Sequence, residues 1–308
     1  MTRFAIAPSA PAWPGIVLML GAGALVAVTS LLAKALGLPD GADPGLSPFQ
    51  ISTGRFTFAF CALLLFLLVR PSARPGFAGA RWQWHVLRSI CGWLGITCMF
   101  AAVARMPLAE ATAISFLNPL VAMFLAVVML GERLGPRKLM AAGCGICGAV
   151  LILRPGSEAL QPSALFALGA ALFMGLEVIF VKRLSSSEPA LRVLLINNAI
   201  GCAISLSVAA FFWMWPSGLQ WLLLMALGVI MVTAQSLFIQ SMKRGEASFV
   251  MPAFYSVLVF AAFYDFVLYG VVPAVMTAAG AALIVCGAVI LALRGIRKPA
   301  IQTPNPEV

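Results

Sequence analysis

Glu177 is the deepest carboxylate in the sequence, about fourteen residues into an apolar run, or roughly 20 Å along a helix rising 1.5 Å per residue. A carboxyl at that depth can load and release a proton or hold a substrate amine inside a cavity. The competing reading pairs it with Lys182 or Arg183 at an interface. Arg55 stands about seven residues into another apolar run, some 10 Å deep. Its planar fork suits a substrate carboxylate, and Ser52-Thr53-Gly54 beside it leave room for one; alternatively its stem carries the charge outward to water. Lys34, nearer a run's end, fits that outward placement.

Uncharged groups extend this set. Asn118-Pro119 falls near the middle of an apolar run, and Pro252 breaks another. A proline there removes a helical hydrogen bond. The break is either a packing kink or an opened backbone that offers a carbonyl and the Asn118 amide to a substrate, as broken helices of carriers do. Asn197, Asn198 and Gln235 either bond between helices or face a cavity, and adjacent asparagines are about 100° apart on a helix, so only one can face it squarely. Trp93 and Tyr255 sit at middle depth, away from the interfacial belts where aromatics anchor. They are core residues or a stacking platform for a flat or cationic substrate. Arg105, Glu110 and Asp265 fall near run ends and read as gate or surface charges.

Other chemistries lack their residues. No GxxxxGK[ST] phosphate loop occurs, so the chain cannot hydrolyse nucleotide by itself. The seven cysteines all fall inside apolar runs. Cys144-x-x-Cys147 has zinc spacing, but glycines surround it and no second pair or histidine accompanies it, so it reads as tight packing. One histidine, His85, cannot build a hydrolase or metal site. No catalytic residues, metal or cofactor are expected. A membrane-embedded enzyme would need its acids clustered, and these are scattered over different runs.

The elements that position these residues follow from composition. Of 308 residues 62% are hydrophobic and 10% charged, and mean hydropathy is +1.03, which excludes a soluble protein. Crossing the hydrocarbon core takes roughly 20 apolar residues. The runs predict spans at 13–36, 48–69, 83–104, 108–130, 138–154, 163–182, 191–213, 218–241, 247–269 and 274–293. Ala62–Val69 and Val121–Leu130 are apolar on every side, so these are helices and not barrel strands. The first run follows Arg3 as a secretory signal would, but it stays apolar through Ala35 and reads as a retained helix. The net charge of +10 is no nucleic-acid patch. Lys34, Arg55, Arg105 and Arg154 fall on one side and the other cations on the opposite side, which predicts both termini in the cytoplasm.

An internal repeat organises the spans. Cys147-Gly148-Ala149-Val150 matches Cys286-Gly287-Ala288-Val289 at an offset of 139 positions, and Gly131 matches Gly270 and Arg105 matches Arg244 at the same offset. Leu31–Leu36 lies over Ile179–Leu184 at 148. Repeats of five helices, an odd number, must enter the membrane with opposite orientations. Inverted repeats place a site near the midplane and give alternating access by rocking. The predicted fold is an all-α polytopic membrane protein of ten transmembrane helices: a first repeat over 13–154, a second over 163–294, and a cytoplasmic tail 295–308.

The stretches Arg105-Met-Pro-Leu-Ala-Glu-Ala-Thr-Ala-Ile-Ser-Phe-Leu-Asn-Pro-Leu120, Leu130-Gly-Glu-Arg-Leu134 and Gly145 to Pro155 resemble the first repeat of EamA-type carriers in the drug/metabolite transporter superfamily. Arg244-Gly-Glu-Ala-Ser-Phe-Val-Met-Pro252 to Gly270-Val-Val-Pro273 resembles the second. The resemblance implies a basket-like carrier of the bacterial inner membrane, its fifth and tenth helices to one side. It also implies export of amino acids, other metabolites or opine-type metallophores, or import of riboflavin or S-adenosylmethionine. One departure stands out, Gly131-Glu132 against Gly270-Val271. If Glu132 only closes a cytoplasmic turn with Arg133, its absence from the outer side is harmless. The expected cargo is a small zwitterion or polar metabolite, with export favoured and proton coupling through Glu177.

Overall fold

A segment with no water to bond its amides satisfies them within its own helix, and the computed structural model is built that way. It describes residues 13–37, 44–103, 114–153, 164–269 and 275–295. The helices are α1 (Trp13–Gly37), α2 (Pro48–Val69), α3 (Trp82–Val103), α4 (Asn118–Leu130), α5 (Pro136–Leu153), α6 (Ala164–Ser185), α7 (Ala190–Ala209), α8 (Gly218–Arg244), α9 (Ser256–Tyr269) and α10 (Val275–Gly295). No strand occurs among the described residues. Six helical stretches there are long and apolar enough to cross a membrane, and Asn118–Leu130 and Ala278–Gly287 are apolar but shorter.

Local signals set the ends. Ser47 caps α2 by accepting the Gln50 N–H at 3.3 Å, with Pro48 in the first turn where its missing N–H costs nothing. Ser217 and Gln220 close a capping box on α8. Gly131 ends α4 at φ +69°, a left-handed conformation that favours glycine.

Two spans differ from their predicted form. Around the fourth, Ile114 and Ser115 are helical, Phe116 and Leu117 form a turn, and α4 starts at Asn118. Asn118-Pro119 is thus a helix start, where proline is tolerated; residues 104–113 lie outside the described residues. The ninth is in three pieces, an α-turn Ala247–Val250, a 3-10 stretch Met251–Tyr255 containing Pro252, and α9.

The helix pairs in closest contact are α3 with α6, α1 with α8, α5 with α10, α2 with α8, α2 with α7, α4 with α6, α1 with α9, and α3 with α7. Exchanging each helix with the one five places along the chain turns α3–α6 into α8–α1, α2–α8 into α7–α3, and α4–α6 into α9–α1. The pairs α2–α7 and α5–α10 map onto themselves. The repeated CGAV motif lies on that last contact: a Cβ on Gly148 would stand 2.6 Å from the Gly280 carbonyl, and one on Gly287 3.0 Å from the Ala141 carbonyl.

α2 and α8 also approach closely: a Cβ on Gly228 would lie 2.6 Å from Phe58 Cβ and 2.8 Å from the Ala59 nitrogen. Backbone cannot swing aside as a side chain can. Gly228→Ala is therefore expected to cost about 1–3 kcal/mol through overpacking, read as a lower unfolding midpoint in detergent. Gly143→Ala, with nothing within 4 Å of the added carbon, is the control and should leave the midpoint unchanged.

Candidate functional site

The helix crossings enclose a cavity of about 250 Å³ lined by α1, α2, α3, α4, α6, α7, α8 and the Met251–Tyr255 turn. Helical periodicity supplies its walls. Met174, Glu177, Val178 and Val181 form one stripe of α6; Met231, Ala234, Gln235 and Phe238 form the matching stripe of α8. On α3 the stripe is Arg88, Ser89, Gly92, Trp93 and Ile96.

Arg55, Trp93, Asn118, Glu177, Asn197 and Gln235 all line this one cavity. Asn198 stands behind it, donating to the Leu194 carbonyl at 2.8 Å and to Gln235 Oε1 at 3.3 Å. Asn197 Oδ1 accepts the Ser89 hydroxyl at 3.4 Å. Asn118 Nδ2 approaches Met174 Sδ at 3.7 Å.

Tyr255 is a correction, because it is not among the cavity's lining residues. In the 3-10 turn, residues three apart share a side, so Met251 and Phe254 face the cavity while Tyr255 packs against Phe116 and Gly145. It is fully buried there beside Leu258 and Ile284. Pro252 is buried in the same turn and Pro119 at the start of α4.

Pairing of Glu177 with Lys182 or Arg183 is also overturned. Lys182 Nζ donates to the carbonyls of Met242 and Gly245, and Arg183 donates to the Met129 carbonyl at 3.1 Å. Glu177 Oε1 lies instead 3.7 Å from Arg88 Nε. Arg88, which charge asymmetry alone counts among the other cations, is buried in the cavity wall, with Nη1 donating to the Val193 carbonyl at 3.2 Å. Gly92 makes room for the pair, since a Cβ there would stand 3.2 Å from the Glu177 carboxylate. The signal that could have revealed Arg88 is its place on the same α3 stripe as Ser89 and Trp93.

Arg55 is held differently. Its guanidinium lies 4.3 Å above the Phe56 ring, a cation–π contact worth about 1 kcal/mol. Phe56 in turn rests on Gly201, where a Cβ would come within 2.4 Å of the ring. Among the described residues no carboxylate lies within 4.0 Å of Arg55. The side chains of Lys34 and Asp265, and all of Arg105 and Glu110, fall outside the described residues.

The ends of the bundle are tied across the two halves. At one end, Gln50 Nε2 bonds the Met214 carbonyl and Gln220 Nε2 the Pro44 carbonyl at 3.0 Å. At the other, Glu188 accepts the Arg81 N–H at 2.8 Å, is hydrogen-bonded to His85 Nε2 at 2.9 Å and lies 3.6 Å from Arg192. Burial pushes the Glu188 carboxyl up, but the Arg81 amide, His85 and Arg192 outweigh it and hold it below the usual carboxylate range. The tie therefore holds at neutral pH and is released as pH falls through that depressed value.

The Glu132 carboxylate is engaged by the other half of the chain and not by Arg133. It accepts the N–H groups of Ala247 at 2.9 Å and Ser248 at 2.8 Å and the Ser248 hydroxyl. Lys138 completes this latch, bonding Glu246, the Ser248 hydroxyl and the Arg133 carbonyl.

A polytopic helical bundle around a buried charged cavity has the architecture of a membrane carrier. The family model for the EamA-like transporter family matches residues 13–154 and 161–293, and the chain belongs to that family. It is 26% identical over 240 residues to the S-adenosylmethionine uptake transporter of Rickettsia felis, covering 78% of this chain and 81% of that one. It is 27% identical to the riboflavin transporter of Vibrio cholerae, over 88% and 90%, and 26% identical to the pseudopaline exporter CntI of Pseudomonas aeruginosa, over 77% and 84%. A solved structure described only as the crystal structure of a protein superposes with a TM-score of 0.76 at 24% identity, over 91% of this chain and 97% of its own, and shows the fold alone.

Proposed function

We propose that this transporter is a secondary carrier of the bacterial inner membrane that exports a small polar or zwitterionic, amino-acid-like metabolite by alternating access, with Glu177 carrying the coupling proton. The observation that carries the reading is the convergence of Arg55 and Arg88 from the first half and Glu177, Asn197 and Gln235 from the second on one cavity. An apolar drug would dehydrate those groups without supplying a polar partner in exchange for water. Ten spans in two inverted repeats, 13–154 and 163–294, account for the exchange symmetry of the helix contacts, and rocking between them exposes the cavity to either side.

A second reading, uptake of a ring compound such as a vitamin or cofactor, is favoured by Trp93 in the cavity wall and by the uptake named for the Rickettsia relative. Untargeted metabolite profiling of cells and medium with and without the gene separates the two. The export reading expects a zwitterionic or polar metabolite to build up inside the deletion strain and fall in its medium; auxotrophy for a vitamin or cofactor sinks it.

The proposal includes an orientation, with both termini in the cytoplasm and residues 37–47 in the periplasm, supported by the charge asymmetry of the sequence. In a cysteine-free background, Ala42→Cys is expected to react with a membrane-impermeant thiol reagent added outside. Reaction from the cytoplasmic side alone overturns the orientation.

A further inference from the structure

We propose that the substrate carries a net negative charge, one anionic group more than its cationic groups, and that Arg55 receives the extra anion. This rests on the carrier reading of the cavity and narrows its substrate class. Among the described residues three ionic side chains line the cavity, two guanidiniums and one carboxylate. Arg88 Nε lies 3.7 Å from the Glu177 carboxylate, and Arg88 is fixed by the Val193 carbonyl.

That leaves Arg55 as the surplus charge. It is oriented by Phe56, which Gly201 seats, and it has no carboxylate within 4.0 Å among the described residues. Glu177 is the one carboxylate facing both guanidiniums in the described lining, so one positive charge stays in excess, and an excess of one sign in a low-dielectric wall raises the local concentration of the opposite ion. Two donors elsewhere in the same lining point the same way: Gln235 Oε1 and Asn197 Oδ1 are already bonded to protein, so each amide offers the substrate its NH2 group. A fork of guanidinium donors in a wall that also carries amide donors is a receptor for a carboxylate or similar oxyanion. A neutral zwitterion would leave the one positive charge in excess in the described lining unbalanced.

The test uses the purified full-length protein and a small-molecule extract of bacterial cells, split at pH 7 by anion exchange into a retained, net-anionic fraction and a flow-through of zwitterions, neutral compounds and cations. Thermal unfolding is measured with each fraction in salt-matched buffer, and protein-dependent release of the same fractions from proteoliposomes in parallel. The retained fraction should raise the unfolding midpoint and the flow-through should not, and Arg55→Gln should abolish the shift. A shift from the flow-through or from matched salt alone, no shift from either fraction, or an undiminished shift in Arg55→Gln overturns the proposal. A specific shift without any release in proteoliposomes leaves the anion site standing and removes the carrier reading.

Discussion

Glu177→Gln is expected to lose uphill accumulation by about tenfold or more while counterflow exchange continues. Uphill movement needs a group that takes up a proton on one side and releases it on the other, and a carboxamide cannot titrate. Exchange needs only a filled cavity that rocks, and glutamine keeps the volume and an oxygen beside Arg88. The substitution also strands Arg88, which is 2% exposed. Leaving one partner of a buried pair uncompensated costs about 3–5 kcal/mol, so the unfolding midpoint should fall as well. The double variant Arg88→Gln/Glu177→Gln removes both charges and should be more stable than Glu177→Gln alone, which separates the pair's electrostatic cost from proton coupling. Proteoliposomes with an imposed pH gradient read both fluxes. Should Glu177→Gln still concentrate substrate against its gradient, the carboxylate is structural.

The second large effect concerns the latch at the proposed cytoplasmic end. Glu132→Ala removes three acceptor contacts to the Ala247 and Ser248 amides and the Ser248 hydroxyl. Hydrogen bonds to a charged group are worth about 1.5–3 kcal/mol each, so even a partial loss near 3 kcal/mol shifts a two-state equilibrium on the order of 100-fold. At the corresponding place in the second repeat the chain has Val271 instead of a carboxylate. Removing Glu132 therefore takes away a closure that the repeat supplies at one end alone. In a cysteine-free background, Phe238→Cys in the cavity wall should react much faster with a thiol reagent from the cytoplasmic side once Glu132 is replaced, and net flux should fall. An unchanged labelling rate would show that the latch does not govern closure.

Much of this architecture was legible because apolar length and charge asymmetry are properties of the chain itself. The predicted span 48–69 coincides with α2, and the others described differ at their ends by a few residues, except where proline intervenes. Periodicity could mark depth, which brought Arg55, Trp93, Asn118, Glu177 and Gln235 into consideration. It could not supply the rotation of one helix against another. Arg88 was missed for that reason: an arginine about seven residues into a span reads as an interfacial charge until the α3–α6 contact brings Glu177 to it. Tyr255 failed in the opposite sense, since a 3-10 turn rotates each residue by about 120° and not 100°, which carries its ring to the α5–α10 side. Glu132 looked local because its partners lie in the other half of the chain, and only the fold makes Ala247 and Ser248 its neighbours.

The measurement that bears most directly on the carrier reading is counterflow in proteoliposomes containing only the purified protein and the metabolite identified by profiling. The account predicts saturable exchange without nucleotide, strongly reduced by Trp93→Ala and Gln235→Ala in the cavity wall and unaffected by Gly143→Ala. Flux that rises linearly without saturation, or runs at the full rate in both cavity variants, would contradict it.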